Sequence, residues 1–550
     1  MKPEHEQITP ENVEEQIQHV VRTHEQQDPS MPGETHIIRE LDRLYRSEEG
    51  IMARTWERLI EQHPEVGNLQ SSATPPPPRI IHFQQRPTAI NTKKGWKQRA
   101  SMLLAVAISL VLIVSSFLLF HQNQGVSPVR KGVPVTGPLQ LLDRHGKLFY
   151  QTDGRKTLTF GNDQHTSDFV QYTLQQLAQD LHVEPAKLST MGLRVTTTLD
   201  LDLQNKAYAN AQQQILKVKD TKNITDSAIV VFDYHDGSIR ALIGSLNKQQ
   251  NAAYNVATQN SRQLGSAYKP FVYATAFDQG ISPGDVVNDT RTTFPGDYTP
   301  VNYDRQFHGL MSYRTALQND YNIPAIQLLT RTKIAPTVAK VVALGLPSPP
   351  ASQMGYSMAL GVTEANVLNA TVAYGTIANQ GVHVAPNAIE NITDTSGHLL
   401  FQARIQGTPV LSPASAFMIT DVLSDNMARA ATVGTCSPMM LYTTSQAQCV
   451  AGNPGTVRPA AAVLGSTETF IDSWTLGYTS DYAIGVWSGN DSYERMMNVT
   501  SLDGAAPIWH DTMLLAEGNA PIKQFPGPPS TVIKKTISDQ GLTITDWHLK

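Results

Sequence analysis

The sequence predicts a mixed α+β domain whose sheet joins distant parts of the chain. Residues 228–233 and 238–243 read as a strand pair on either side of Tyr234-His235-Asp236-Gly237, the pattern of a β-hairpin. Helical periodicity dominates the stretch that follows, and strand patterning returns at 474–478 and 483–487. Strands at both ends of a helical middle pair most simply in one sheet.

With 550 residues and 40% hydrophobic content, the chain can bury a large core and form more than one domain. Net charge is −5 and the basic residues form no stripe, which argues against nucleic acid as a partner. One short cluster, Arg86, Lys93, Lys94, Lys97 and Arg99, precedes the uncharged stretch 101–120, which is 20 residues long and enough to cross a bilayer. The positive-inside rule makes 1–96 cytoplasmic, 97–122 a single transmembrane helix and the remainder extracytoplasmic. A cleaved signal peptide would lie at the very N-terminus, so this span is expected to be retained; a buried core helix is the alternative. Residues 1–34 have a disordered composition. Apolar residues recur at helical spacing over 35–62 (Ile37, Ile38, Leu41, Leu44), and Pro75 to Pro78 form a stiff spacer. No chemistry is assigned to this segment.

Beyond the span, residues 141–148 read as strand–turn–strand about Gly146, and 170–181 as an amphipathic helix. Residues 192–200 are rich in β-branched side chains and end in Asp200, suited to cap a helix running from about 201 to 218. The only cysteines are Cys436 and Cys449, both on the oxidising side. A disulfide between them would contribute about 3 kcal/mol; two free thiols are the alternative. Metal binding would need more ligands than this pair and its neighbours supply, and no metal or cofactor is expected.

The chemistry centres on Ser266-Ala267-Tyr268-Lys269, an S-x-x-K nucleophile motif. Alone it is weak: Ser245-Leu246-Asn247-Lys248 matches the same pattern off the expected frame. The setting of Ser266 distinguishes it. Gly265 precedes it, Pro270 falls in the first helical turn and an apolar helix runs on to Asp278. A serine there sits beside free N–H groups and the positive end of a helix dipole. A lysine one turn later points back at it and can take its proton when neutral.

Residues 262–273 (RQLGSAYKPFVY) resemble the nucleophile segment of class A penicillin-binding proteins. So do 192–204 (GLRVTTTLDLDLQ), 316–328 (ALQNDYNIPAIQL), 360–381, 472–489 (DSWTLGYTSDYAIGVWSG) and 504–509, in order from about 190 to 530. The resemblance implies a penicillin-binding/β-lactamase-like transpeptidase fold, a central antiparallel sheet with helices on both sides. It divides the chain into a juxtamembrane or linker region at 123–220, a transpeptidase-like domain at 221–525 and a C-terminal tail at 526–550. It implies Ser266 as nucleophile and Lys269 as general base. Asn322 would hold the substrate amide and Lys269, and the N–H groups of Ser266 and Ser466 would form the oxyanion hole. Peptidoglycan stem peptides or β-lactams are the implied ligands, and other cell-wall synthesis proteins the implied partners.

Three departures bear on activity. Asp320 stands where the family's S-x-N serine should be, and a carboxylate beside Lys269 would favour the ammonium form; the counter-reading is that Asp320 itself takes the proton. Val463-Leu464-Gly465 replaces K-T-G, and no lysine occurs between Lys340 and Lys523. Arg458 is too far along the strand to stand in, while Ser466 and Thr467 retain hydroxyls that can meet a carboxylate. Finally, the segment between the apolar span and residue 190 is too short for the family's glycosyltransferase domain. Glu184 is its sole glutamate from Gly125 to Asp200, so glycosyl transfer is not expected.

Three functions are compatible with this pattern: a transpeptidase homologue that still acylates through Ser266, a pseudo-transpeptidase that binds cell wall or its synthesis proteins, and a β-lactam or muropeptide sensor. The two motif changes favour impaired or lost D,D-transpeptidase chemistry.

Overall fold

The computed structural model describes residues 136–159, 163–247, 254–497, 499–500 and 502–550. The expected cytoplasmic segment and transmembrane helix lie outside the described residues. Among the described residues, no helix is long and apolar enough to cross a membrane.

The central sheet has five strands, all antiparallel to their neighbours. They are β5 (Asp226–Asp233), β6 (Ser238–Ile243), β9 (Ala461–Ser466), β10 (Asp472–Tyr478) and β11 (Ala483–Gly489), in the order β9-β10-β11-β5-β6. Strand pairs far apart in sequence therefore close one sheet, as the sequence predicts. Every residue of β10 and β11 is buried, which requires cover on both faces. Two helices, α2 (Leu201–Lys222) and α7 (Ala505–Glu517), cover one face and pack on Ile229, Val231, Ile484 and Val486. Two more, α3 (Lys269–Asp278) and α6 (Val367–Ala378), lie on the other with Val230, Phe232, Trp474 and Trp487. The alternation along β5 is the two-residue period of a strand assigning neighbours to opposite cores.

The region expected as a linker is instead built into a second sheet. Its strands β1 (Leu139–Leu142), β2 (Leu148–Thr152), β3 (Thr157–Thr159) and β4 (Leu193–Thr197) join β7 (Ile389–Asp394) and β8 (Leu399–Gln402) in the order β8-β7-β4-β1-β2-β3. Strands from 389–402 thus cross the expected boundary at residue 220. Gly146 takes φ +81 at the β1–β2 turn. The expected helix at 170–181 is the latter part of α1 (Asp163–Leu181), and Asp200 caps α2 by accepting from Leu203 N.

The stretch expected as a C-terminal tail is also ordered. It forms a hairpin, β12 (Val532–Asp539) and β13 (Leu542–Leu549). Arg314, in helix α4 (Tyr313–Gln318), holds it. Its guanidinium reaches both oxygens of Asp546 at 2.7 Å and Asp421 at 2.5 Å, while Trp547 packs edge-on against Phe417. A polar, β-branched sequence has no core of its own, so this order comes from the body it docks on.

Candidate active site

Ser266 lies in a 3₁₀ turn, Gly265–Tyr268, that runs directly into α3. Lys269 opens the helix, Pro270 follows in its first turn, and every side chain from Lys269 to Phe277 is buried. The serine itself is half-buried. Two glycines bring β9 against this turn. Gly265 has φ +54, and a Cβ there would meet Ser466 O at 2.3 Å; a Cβ on Gly465 would meet Leu264 O at 2.5 Å. The Ser266 and Ser466 backbones are thereby brought close together.

The Lys269 side chain is 1% exposed, and its Nζ donates to Asp320 twice, to Oδ1 and to the carbonyl oxygen, each at 2.6 Å. The turn that presents Asp320 ends α4. Tyr321 N bonds to Ala316 O and Asp320 N to Leu317 O, with Asp320 at φ +59. This is a Schellman closure with an aspartate at the left-handed position, which Asp tolerates better than branched residues. Burial pulls the Lys269 pKa below its ordinary value, and the Asp320 carboxylate opposes that shift. Among the described residues, no hydrogen bond reaches the Ser266 hydroxyl.

Asn322 is not placed as expected. It begins helix α5 (Asn322–Thr332), and its side-chain amide donates to Val301 O at 2.8 Å rather than engaging Lys269. Its backbone N–H bonds to Asn302 Oδ1, which anchors this end of the turn elsewhere. Thr467 is likewise turned away. It is 6% exposed, and its hydroxyl accepts from Ile471 N and Asp472 N, closing the β9–β10 hairpin. Ser466 is exposed, Leu464 half-buried and Val463 8% exposed, so two apolar side chains occupy the K-T positions. Arg458 pairs with Glu517 at 3.0 Å and donates to Ala520 O and Pro521 O, so it cannot replace the missing lysine. The off-frame Ser245 is buried and bonded to Asp226, without a nucleophile's access.

Cys436 and Cys449 are disulfide-bonded. The segment leading into that loop touches both sides of the site. Thr432 Oγ1 donates to Asn319 Oδ1 beside Asp320 at 2.5 Å. Arg429 Nη1 donates to Ala462 O on β9 at 2.7 Å and also to Leu423 O. Burial brings the Arg429 pKa down to about 10, against the pull of Asp425. Tyr321, between Asp320 and Asn322, stacks on His308 at 4.1 Å and on Tyr303 at 6.4 Å. These contacts span long loops with no periodic pattern; the position of the cysteine pair just before the K-T-G strand was the one available signal.

The site therefore sets a serine one helical turn before a buried lysine, with a glycine-bearing strand alongside. Residues 227–486 match the penicillin binding protein transpeptidase domain. The chain carries such a domain in the penicillin-binding transpeptidase fold, homologous to the transpeptidase domains of class A penicillin-binding proteins 1A. Penicillin-binding protein 1A of Clostridium acetobutylicum is 27% identical over 379 residues, covering 64% of this chain and 44% of that protein. Its counterpart in Neisseria lactamica is 29% identical over 322 residues, covering 56% and 38%. The chain thus spans less than half the length of these relatives. Among solved structures, penicillin-binding protein 1A from Haemophilus influenzae aligns with a TM-score of 0.58 at 18% identity, covering 72% of this chain and 77% of that one. PonA1 from Mycobacterium tuberculosis in complex with penicillin V aligns with a TM-score of 0.55 at 23% identity, covering 66% and 96%.

Proposed function

We propose that this protein is a membrane-anchored transpeptidase homologue of peptidoglycan synthesis whose acyl-serine chemistry is impaired or lost. It acts by binding cell-wall peptides or cell-wall synthesis proteins. The observation that carries this reading is the double contact of Lys269 with Asp320 at 2.6 Å. To serve as base for Ser266, the lysine must give up a proton while bonded to a carboxylate. Two unit charges 4 Å apart at an effective dielectric of 20 attract by about 4 kcal/mol. Water screens this attraction, because the Asp320 side chain is 36% exposed, and burial of Lys269 works against it, so Asp320 offsets only part of the downward pull on the lysine. Val463 adds to the loss, since it brings no positive charge toward a substrate carboxylate. Losing one acid–base or electrostatic group typically slows catalysis by about 10² to 10⁴.

The test is intact-mass analysis of the purified protein incubated with benzylpenicillin, with Ser266→Ala as control. No adduct over hours on folded protein is the expected result. A penicilloyl adduct that the control lacks would return the protein to the acylating transpeptidases, with Asp320 as the proton acceptor to examine next.

A further inference from the structure

Among the described residues β9 is an edge strand, paired only with β10. Thr467 N–H bonds across the hairpin to Asp472 O, whereas Ala462 O accepts from Arg429. At the two-residue period of a strand, Ala462, Leu464 and Ser466 therefore turn their backbone groups away from β10. Arg429 caps the Ala462 end. Beside Ser266, the half-buried Leu464 and exposed Ser466 leave an outward edge that an extended peptide can pair with.

Charge along this edge limits which peptide fits. Lys269 is buried and directs two N–H bonds at Asp320. Arg429 is 4% exposed and held by Leu423 O, Ala462 O and Asn426 Oδ1. Arg458 is committed to Glu517, and Arg495 is tied through Nε to Thr469 O on the exposed turn. On the negative side stand Asp320, 36% exposed at its side chain, and Glu468, exposed directly after Thr467. A terminal carboxylate entering here would shed water and meet no buried cation that is not already bonded, whereas an uncharged end would lose far less.

Resting on the reading that this site no longer turns over its ligand, we propose that the cleft binds an extended peptide whose end is uncharged, a carboxamide or a chain that runs on. It does so in preference to a peptide ending in a free carboxylate, and Val463 and Asp320 set that preference.

The test is a titration of the full chain with a blocked L-Lys-D-Ala-D-Ala tripeptide and with its C-terminal carboxamide, read by ligand-observed NMR. The carboxamide should bind more tightly, by about tenfold, a difference of about 1.4 kcal/mol. Val463→Lys should reverse the order, and Asp320→Ser, the milder change, should narrow it. A carboxylate that binds the unaltered protein as tightly as the carboxamide, or more tightly, overturns the proposal. So does failure of both peptides to bind at millimolar concentration. Benzylpenicillin adduct formation in the same preparation reports separately on chemistry. An adduct with the carboxamide preference intact sinks only the loss of acylation, and no adduct with a carboxylate preference sinks only the ligand assignment.

Discussion

Lys269 Nζ and Asp320 Oδ1 lie 2.6 Å apart across 51 residues of sequence, and the same ammonium also reaches the Asp320 carbonyl. The pair lies where the family resemblance implies a general base and the S-x-N serine. Its consequence is directional: two of the lysine's three N–H bonds are aimed at one residue, and none at Ser266.

Restoring the motif residues should restore acylation. The triple change Asp320→Ser, Val463→Lys and Leu464→Thr frees Lys269 and returns a cation to the edge strand. The rate of penicilloyl adduct formation should rise by at least about 10², the effect of regaining one such group. A rate that stays at background means that the motif changes are not what silences the site.

Gly265→Ala should disrupt the contact between β9 and the serine turn. The position has φ +54, and its Cβ would fall 2.3 Å from a backbone oxygen that cannot swing aside. A loss of about 1 to 3 kcal/mol is expected by denaturant unfolding. Gly146→Ala also meets a positive φ but open space, so it should cost less.

Asp226 supplies a pH dependence. Burial pushes its pKa up to about 6, against hydrogen bonds from Ser245, Leu246 and Ser227. Because the folded value lies above the unfolded 3.8, its stabilising contribution is present below about pH 4 and is lost as pH rises through 6. Asp226→Asn does not titrate. Its stability relative to the unaltered protein should increase between about pH 4 and pH 6, by an amount on the order of 3 kcal/mol. A difference that stays flat across that window would show that Asp226 is not titrating there.

Reduction of Cys436–Cys449 should loosen the loop whose leading segment touches Asn319 and Ala462. The expected cost is about 3 kcal/mol, read as a lower thermal midpoint in reductant. The double variant Cys436→Ser, Cys449→Ser should show the lower midpoint with or without reductant.

Breaking the clamp on the C-terminal hairpin should free it before the body unfolds. Arg314→Ala leaves Asp546, 5% exposed at its side chain, without its cation. Limited proteolysis should then cut between residues 526 and 550 faster than in the unaltered protein, and equal rates would mean that Trp547 packing alone holds the hairpin.

Much of the central domain was legible because its signals are local. The hairpin at 228–243, the serine at a helix start and the strands at 474–487 follow from alternation, turn residues and helix-start chemistry within a few positions of each other. The second sheet was not. β4 carries a strand pattern, but nothing near it shows that residues 389–402 will lie alongside, so the region read as a linker. The hairpin at 532–549 failed for a related reason: its order depends on Arg314 and Phe417, more than a hundred residues earlier.

Residue identities alone establish which groups the site contains: a serine and lysine one turn apart, an aspartate in the next motif, and no lysine at 463. Where those groups point emerges only when the chain folds. Asn322 turns to Val301, Thr467 turns into its own hairpin, and Lys269 turns to Asp320. Residue identity is a property of one position, whereas the direction of a side chain and its choice of partner depend on packing among segments that meet only when the chain folds.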